Sequence, residues 1–159
     1  MPGAAANDVV DSIARSWWPL DELVTALPDS AFDLATGSGW TVKEMLAHIA
    51  FWVEAVDGFM TLVVRHHPVP GGWRFGSGYV ATLDRPWPHF EEHNAREAAW
   101  GREQSPAAIR ERLHAAHTGL VRFLETVSED EAAAHASYFH EIAGHLDEHC
   151  AELRAVSVK

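Results

Sequence analysis

The segment Gly144-His145-Leu146-Asp147-Glu148-His149 sets two imidazoles four residues apart, and His48 stands far upstream inside an apolar run. On a helix, residues i and i+4 project from one face, so His145 and His149 would aim ring nitrogens at a common point. A third imidazole from another helix would complete a three-ligand site. Structural zinc sites usually close with four protein ligands, whereas three leave a position for water or substrate. The chemistry this spacing points to is that of an open divalent-metal site. Each residue also has a plainer reading. His48 could be a core histidine satisfied by one hydrogen bond, and the pair could be a chance spacing in a chain with 11 histidines.

Helical geometry sorts the neighbours. At about 100° per residue, Glu141 falls within roughly 40° of His145, while His140 falls on nearly the opposite side. Glu141 could orient a ligand or replace His149, or be a solvated acid. His140-Glu141 followed by His145 is one residue too long for the HExxH pattern of zinc proteases, which argues against that class. His89 and His93 share the i,i+4 spacing but open a helix beside Glu91 and Glu92, where exposed imidazoles are common. His114, His117, His66 and His67 read as surface residues. Cys150 points about 100° away from His149 and reads as a small packing residue rather than a nucleophile.

The elements that must position these groups are helical. Asn7 or Asp8 can cap a first helix bearing Val10, Ile13, Trp17, Leu20 and Val24, with a kink expected at Pro19. Thr41 and Glu44 form a capping-box pattern for a second helix reaching about His66, with His48 two turns inside. From Pro68 to Pro88, glycines and prolines end regular helix and introduce Trp73, Arg74, Phe75, Tyr79 and Trp87, which could form a lid or pocket wall. Only Tyr79 to Leu83 has a short strand pattern. A third helix is expected over Pro88 to Gln104. Ser105-Pro106 starts a fourth, running to about Val127 with an apolar stripe from Ile109 to Leu124. A capped turn or short helix follows over Ser128 to Ala134, then a last helix from about Tyr138 to Val156. Four long helices with one long Gly/Pro/aromatic crossover loop make an all-α four-helix bundle.

Composition narrows the partners. The 159 residues, 47% hydrophobic, suit a single domain spanning 1–159. A net charge of -11, with the 12 lysines and arginines scattered, argues against nucleic acid. The single cysteine precludes an internal disulfide, and no signal peptide is visible, so a cytoplasmic setting is expected. Met45 to Val64 carries His48, Glu54 and Asp57 and fits a buried helix better than a membrane span. Trp52, one turn beyond His48, together with Asn94, Trp73, Arg74 and Tyr79, are candidates for a substrate pocket. No residue stands out as a general base.

Three segments together resemble the DinB-like superfamily. Trp40-Thr41-Val42-Lys43-Glu44-Met45-Leu46-Ala47-His48 is similar to its first metal-histidine segment, and His145-Leu146-Asp147-Glu148-His149 to its C-terminal pair. Phe90-Glu91-Glu92-His93-Asn94-Ala95-Arg96-Glu97 is similar to the acidic, Asn-containing helix start of many members. The resemblance covers most of the chain but not the central loop. That superfamily includes bacillithiol- and mycothiol-dependent transferases, the N-terminal domain of mycothiol-dependent maleylpyruvate isomerase, and colibactin self-resistance proteins. It implies a metal on His48, His145 and His149, although some isomerase-like relatives use a carboxylate, which keeps Glu141 as the rival. It also implies a homodimer.

Zinc or nickel come first as the metal, then iron or copper, because imidazole suits all four. Two chemistries follow: a low-molecular-weight thiol such as mycothiol attacks a small electrophile, or water hydrolyses or opens a strained ring. Either would serve detoxification or secondary metabolism as a metal-dependent transferase or hydrolase. The alternative is a non-catalytic small-molecule binding or self-resistance protein on the same bundle.

Overall fold

The apolar spacings along the chain become helices. A computed structural model describes residues 3–86 and 89–156. In chain order it holds α1 (Ala4–Ala26), a 3-10 turn (Asp29–Asp33), α2 (Val42–Phe59) continued by a π-helical turn (Met60–Val64), β1 (Trp73–Phe75), β2 (Tyr79–Ala81), α3 (Phe90–Arg102), α4 (Pro106–Leu124), α5 (Glu129–Ala134) and α6 (Ala136–Arg154). The described residues are thus mostly helical with one two-stranded sheet. Trp87, expected among the loop aromatics, and Pro88, expected at the start of the third helix, lie outside the described residues.

Residues group into two compact units, Met1–Val42 with Val121–Lys159, and Lys43–Leu120. In the first, α1 buries Val9, Ile13, Trp17, Leu20 and Val24, a three- and four-residue repeat that makes one apolar stripe. Its main partner is α6, which buries Phe139, Ala143, Leu146, Cys150 and Leu153. The start of α1 differs from expectation. The helix begins at Ala4 instead of after Asn7 or Asp8, because Glu129 supplies the cap from elsewhere: its carboxylate accepts from the Ala5 amide at 2.9 Å and the Ala6 amide at 3.1 Å. A carboxylate at a helix N-terminus satisfies orphan amides and favours the dipole. Glu129 opens α5, whose own start is a capping box between Ser128 and Glu131. The α1 helix continues through Pro19 without a break.

The second unit is built on α2, the most apolar helix. Residues Val42–Val64 are long and apolar enough to cross a membrane by length and composition, yet most of that stretch is buried within the protein. Two of its acids are matched within this unit: buried Glu44 accepts from Arg102 Nε at 2.8 Å, and Glu54 accepts from two nitrogens of the Arg112 guanidinium at 3.0 and 3.1 Å.

Part of the stretch expected as irregular loop is a β-hairpin. Strands β1 and β2 pair antiparallel, Trp73 with Ala81 and Phe75 with Tyr79. Gly76 and Gly78 turn the chain at φ of 64° and 123°, angles that favour glycine. Two carboxylates seize this turn. Glu54 accepts from the Gly76 amide at 2.7 Å, and Glu97, fully buried, accepts from the Ser77 amide and hydroxyl, both at 2.7 Å. Arg112 spans the two acids, its Nη1 lying 2.8 Å from Glu97, with its guanidinium 4.4 Å over the Trp100 ring. Behind the hairpin, Phe51, Leu62, Tyr79 and Ala81 form an apolar cluster.

Candidate metal centre

His48 lies in the interior of α2 at 6% exposure, on the helix that also buries Met45, Leu46 and Ile49. Its Nδ1 is 3.1 Å from Asn94 Oδ1, and the Trp52 indole N–H donates to the same oxygen at 3.3 Å. An indole nitrogen can only donate, so the Asn94 atom it meets is the carbonyl oxygen, an acceptor. That oxygen must accept from His48 as well. The imidazole proton therefore sits on Nδ1, and Nε2 carries the lone pair that a metal would use. The first turns of α3 deliver Asn94 to this position. Trp52 adds an edge-on contact to the His48 ring, centroids 6.4 Å apart.

On α6, His145 and His149 behave as the four-residue spacing requires. Their rings meet edge to face with centroids 4.4 Å apart, and their Nε2 atoms are 2.9 Å from each other. Burial pushes His145 down to about 4, with the neighbouring His149 adding to the effect. Burial also lowers His149, against the pull of the Glu152 and Glu148 carboxylates. Both rings are accordingly neutral at pH 7, the form that ligates. Glu152 Oε1 stands 3.9 Å from His149 Nδ1.

His48, His145 and His149 are a group that could hold a metal ion. The donor set fits one: three imidazoles, the α6 pair neutral and the His48 ring oriented by Asn94 through Nδ1. Over residues 12–153 the chain matches the model of the DinB superfamily. The chain belongs to the DinB superfamily. No curated protein and no solved structure matches it significantly.

Membership in the DinB superfamily leaves the surroundings of the cluster to be read from this chain. Glu141 is exposed on α6. Trp52 and Asn94 converge on His48 as described. Tyr79 is buried in the hairpin, with its hydroxyl donating to the Arg85 carbonyl at 3.2 Å. Trp73 and Arg74 line a cleft of about 370 Å³ together with Val53, Asp57 and Gly119. Asp57 comes nine residues after His48, which at about 100° per residue puts it on the opposite side of α2.

One placement departs from the sequence reading. His93, expected to be exposed at a helix start, is 5% exposed. Its ring stacks on Phe51 at 5.3 Å and meets the Tyr79 edge at 4.4 Å, contacts that only the fold brings about. Burial lowers its pKa, against the nearby Glu92 and Glu97 charges. Asn94, a candidate for the substrate pocket, has its oxygen on His48 and Trp52. The Arg112, Glu54 and Glu97 group went unread because its members sit on three helices with no local pattern to join them. Cys150 is buried beside the pair, and burial pushes its thiol up, so it packs as an uncharged side chain.

Proposed function

We propose that this DinB superfamily member is a metal-dependent enzyme acting on a small electrophilic molecule, with His48, His145 and His149 as the metal ligands. The observation that carries the reading is a group of three histidines that could hold a metal ion, with the α6 pair kept neutral by burial. A divalent cation on neutral ligands keeps its whole charge and lowers the pKa of a thiol or water beside it. The chain's own part is to fix the ligands. Asn94 orients His48, Trp52 walls the same spot with an apolar ring, and burial keeps the α6 pair unprotonated. Zinc and nickel are the first candidates. Thiol transfer, with mycothiol as one donor, and hydrolysis or ring opening are the two reactions this chemistry supports.

Elemental analysis of untagged protein tests the first half of the reading. About one metal per chain, as expected for a single three-ligand site, supports it, and protein that cannot be loaded with zinc or nickel overturns it. Loaded protein is then screened with thiols against epoxides and other electrophiles. Product formed in many turnovers supports an enzyme. Saturable, stoichiometric capture with no product would mark a non-catalytic binding or self-resistance protein instead.

The same reading carries the superfamily's four-helix bundle with residues 68–88 as its crossover, one functional domain over 1–159, and a homodimer in the cytoplasm. The scattered cations and the charge of -11 support a small molecule, rather than nucleic acid or a membrane surface, as the partner. Light scattering tests the dimer, and a monomer at working concentration would refute it.

A further inference from the structure

The cleft of about 370 Å³ in the Lys43–Leu120 unit is unrelated to the ligand face of α2. One wall is α2, through Val53 and Asp57; another is β1, through Trp73 and Phe75; the third is α4, through Ala116 and Gly119. Its size falls within the range of small-molecule sites, and its make-up is theirs too: aromatic and aliphatic walls with few polar groups.

The cleft is built in detail. Gly58 lets the Trp73 indole lie directly on α2, since a Cβ at position 58 would come within 2.9 Å of indole Cδ1. That fixes an aromatic ring beside the neighbouring residue, Asp57. On α4, Gly119 leaves open space where a Cβ would stand. The hairpin that carries Trp73 and Phe75 is pinned by Glu54 and Glu97 through the Gly76 and Ser77 amides, so this wall is fixed in place.

Glu54 and Glu97 both pair with Arg112, and the third carboxylate here, Asp57, is met by the charge of Arg65. Asp57 is half-buried and accepts from the Thr61 hydroxyl at 3.1 Å. Burial pushes its carboxyl up, against that hydrogen bond and the Arg65 charge. A carboxylate that has lost hydration gains from a cation, and an adjacent indole face attracts the same cation. Arg74 is exposed at the rim.

We propose that this cleft is a second small-molecule site, separate from the histidine cluster, that binds an organic cation with an apolar body: an amine whose ammonium pairs with Asp57 and whose body lies between Trp73 and the small residues of α4. The site lies outside the proposed metal chemistry and does not rest on it.

The test is titration of 15N-labelled protein with 2-phenylethylamine, beside 2-phenylethanol and phenylacetate as neutral and anionic counterparts. The amine is expected to shift the amides of residues 53–58, 73–76 and 115–120 and the Trp73 indole, with affinity at least tenfold above either counterpart. Asp57→Asn, which keeps an acceptor for Thr61, should weaken the amine at least tenfold. Gly119→Leu, which grows into open space, should block it. EDTA treatment and His48→Ala should leave it unchanged. Equal binding of the alcohol, no shifts with the amine, or full affinity in folded Asp57→Asn would overturn the proposal. So would loss of binding with EDTA, which would move the amine to the histidine cluster.

Discussion

Asn94 Oδ1 accepts from both His48 Nδ1 and the Trp52 indole, at 3.1 and 3.3 Å, and so dictates which nitrogen of His48 carries a proton. A single amide oxygen from α3 thereby prepares a candidate metal ligand on α2. Partners of this kind commonly change metal affinity by about 10–100-fold when removed. Asn94→Ala is expected to weaken zinc by that factor, measured by competition with a chromophoric chelator, while the circular dichroism spectrum stays unchanged. Asn94→Asp keeps the acceptor and should bind at least as tightly as wild type. Equal affinity in all three proteins would refute the tautomer argument.

Glu141 is exposed on α6 whereas His149 is buried, and the proposed ligand set leaves Glu141 out. His145→Ala and His149→Ala should each reduce bound metal from about one per chain to near zero, whereas Glu141→Gln should retain it. Elemental analysis of the folded variants decides the matter, and metal lost from Glu141→Gln would restore the carboxylate as a ligand.

Acid should destabilise the metal-free protein in a defined window. Unfolded His145 takes its proton near the ordinary histidine value of about 6.5, while burial and His149 hold the folded ring near 4. Between these values the unfolded chain binds a proton that the folded one refuses, so the stabilising contribution is complete above 6.5 and lost as pH falls toward 4. The His145 shift corresponds to at most about 3 kcal/mol, and His149 and His93 are displaced in the same direction. Urea unfolding of EDTA-treated protein across this range should show the loss, and His145→Phe should reduce it by the share that His145 contributes. A flat profile for the wild type would contradict the buried neutral pair.

How far the sequence disclosed this arrangement depends on the range of each interaction. The α6 pair follows from local spacing, and Ser105-Pro106 and Ser128 start the helices they were expected to start, with Ser105 Oγ accepting from the Ala108 amide at 3.2 Å and Ser128 in a capping box with Glu131. The start of α1 was misplaced because its cap, Glu129, is more than a hundred residues away. Of the hairpin, only Tyr79 and its neighbours alternated visibly. Trp73 to Phe75 is too short, and too closely flanked by glycines, to announce a strand. His93 looked exposed beside two glutamates because the Phe51 and Tyr79 rings that bury it belong to other elements.

Arg112 bonds two acids, one of them fully buried. Removing one partner from such a group leaves an uncompensated charge and typically costs about 3–5 kcal/mol. Arg112→Leu should fall in that range by urea unfolding, with faster exchange of the Gly76 and Ser77 amides as the two carboxylates reorganise. Arg112→Leu combined with Glu54→Gln and Glu97→Gln should recover part of the loss, because no buried charge is then left over. Wild-type stability in the single variant would mean that water supplies what Arg112 does.

Two glycine-to-alanine changes should move stability in opposite directions. At Gly76 the backbone has φ of 64°, and a Cβ would approach Phe51 Cδ2 to 2.6 Å and Glu97 Oε1 to 2.8 Å. Neither neighbour can retreat easily, since Phe51 is in the apolar cluster and Glu97 is tied to Ser77 and Arg112. Left-handed strain alone costs about 1–2 kcal/mol, and the clash adds to it, so Gly76→Ala should destabilise by at least that much. Gly144 lies in the interior of α6, with nothing within 4 Å of the point a Cβ would occupy and no positive φ. Alanine there restricts the unfolded chain and should stabilise by about 0.5–1 kcal/mol, without loss of metal at the adjacent His145. Paired urea titrations read both values, and a Gly76→Ala protein as stable as wild type would show that the turn is not held as described.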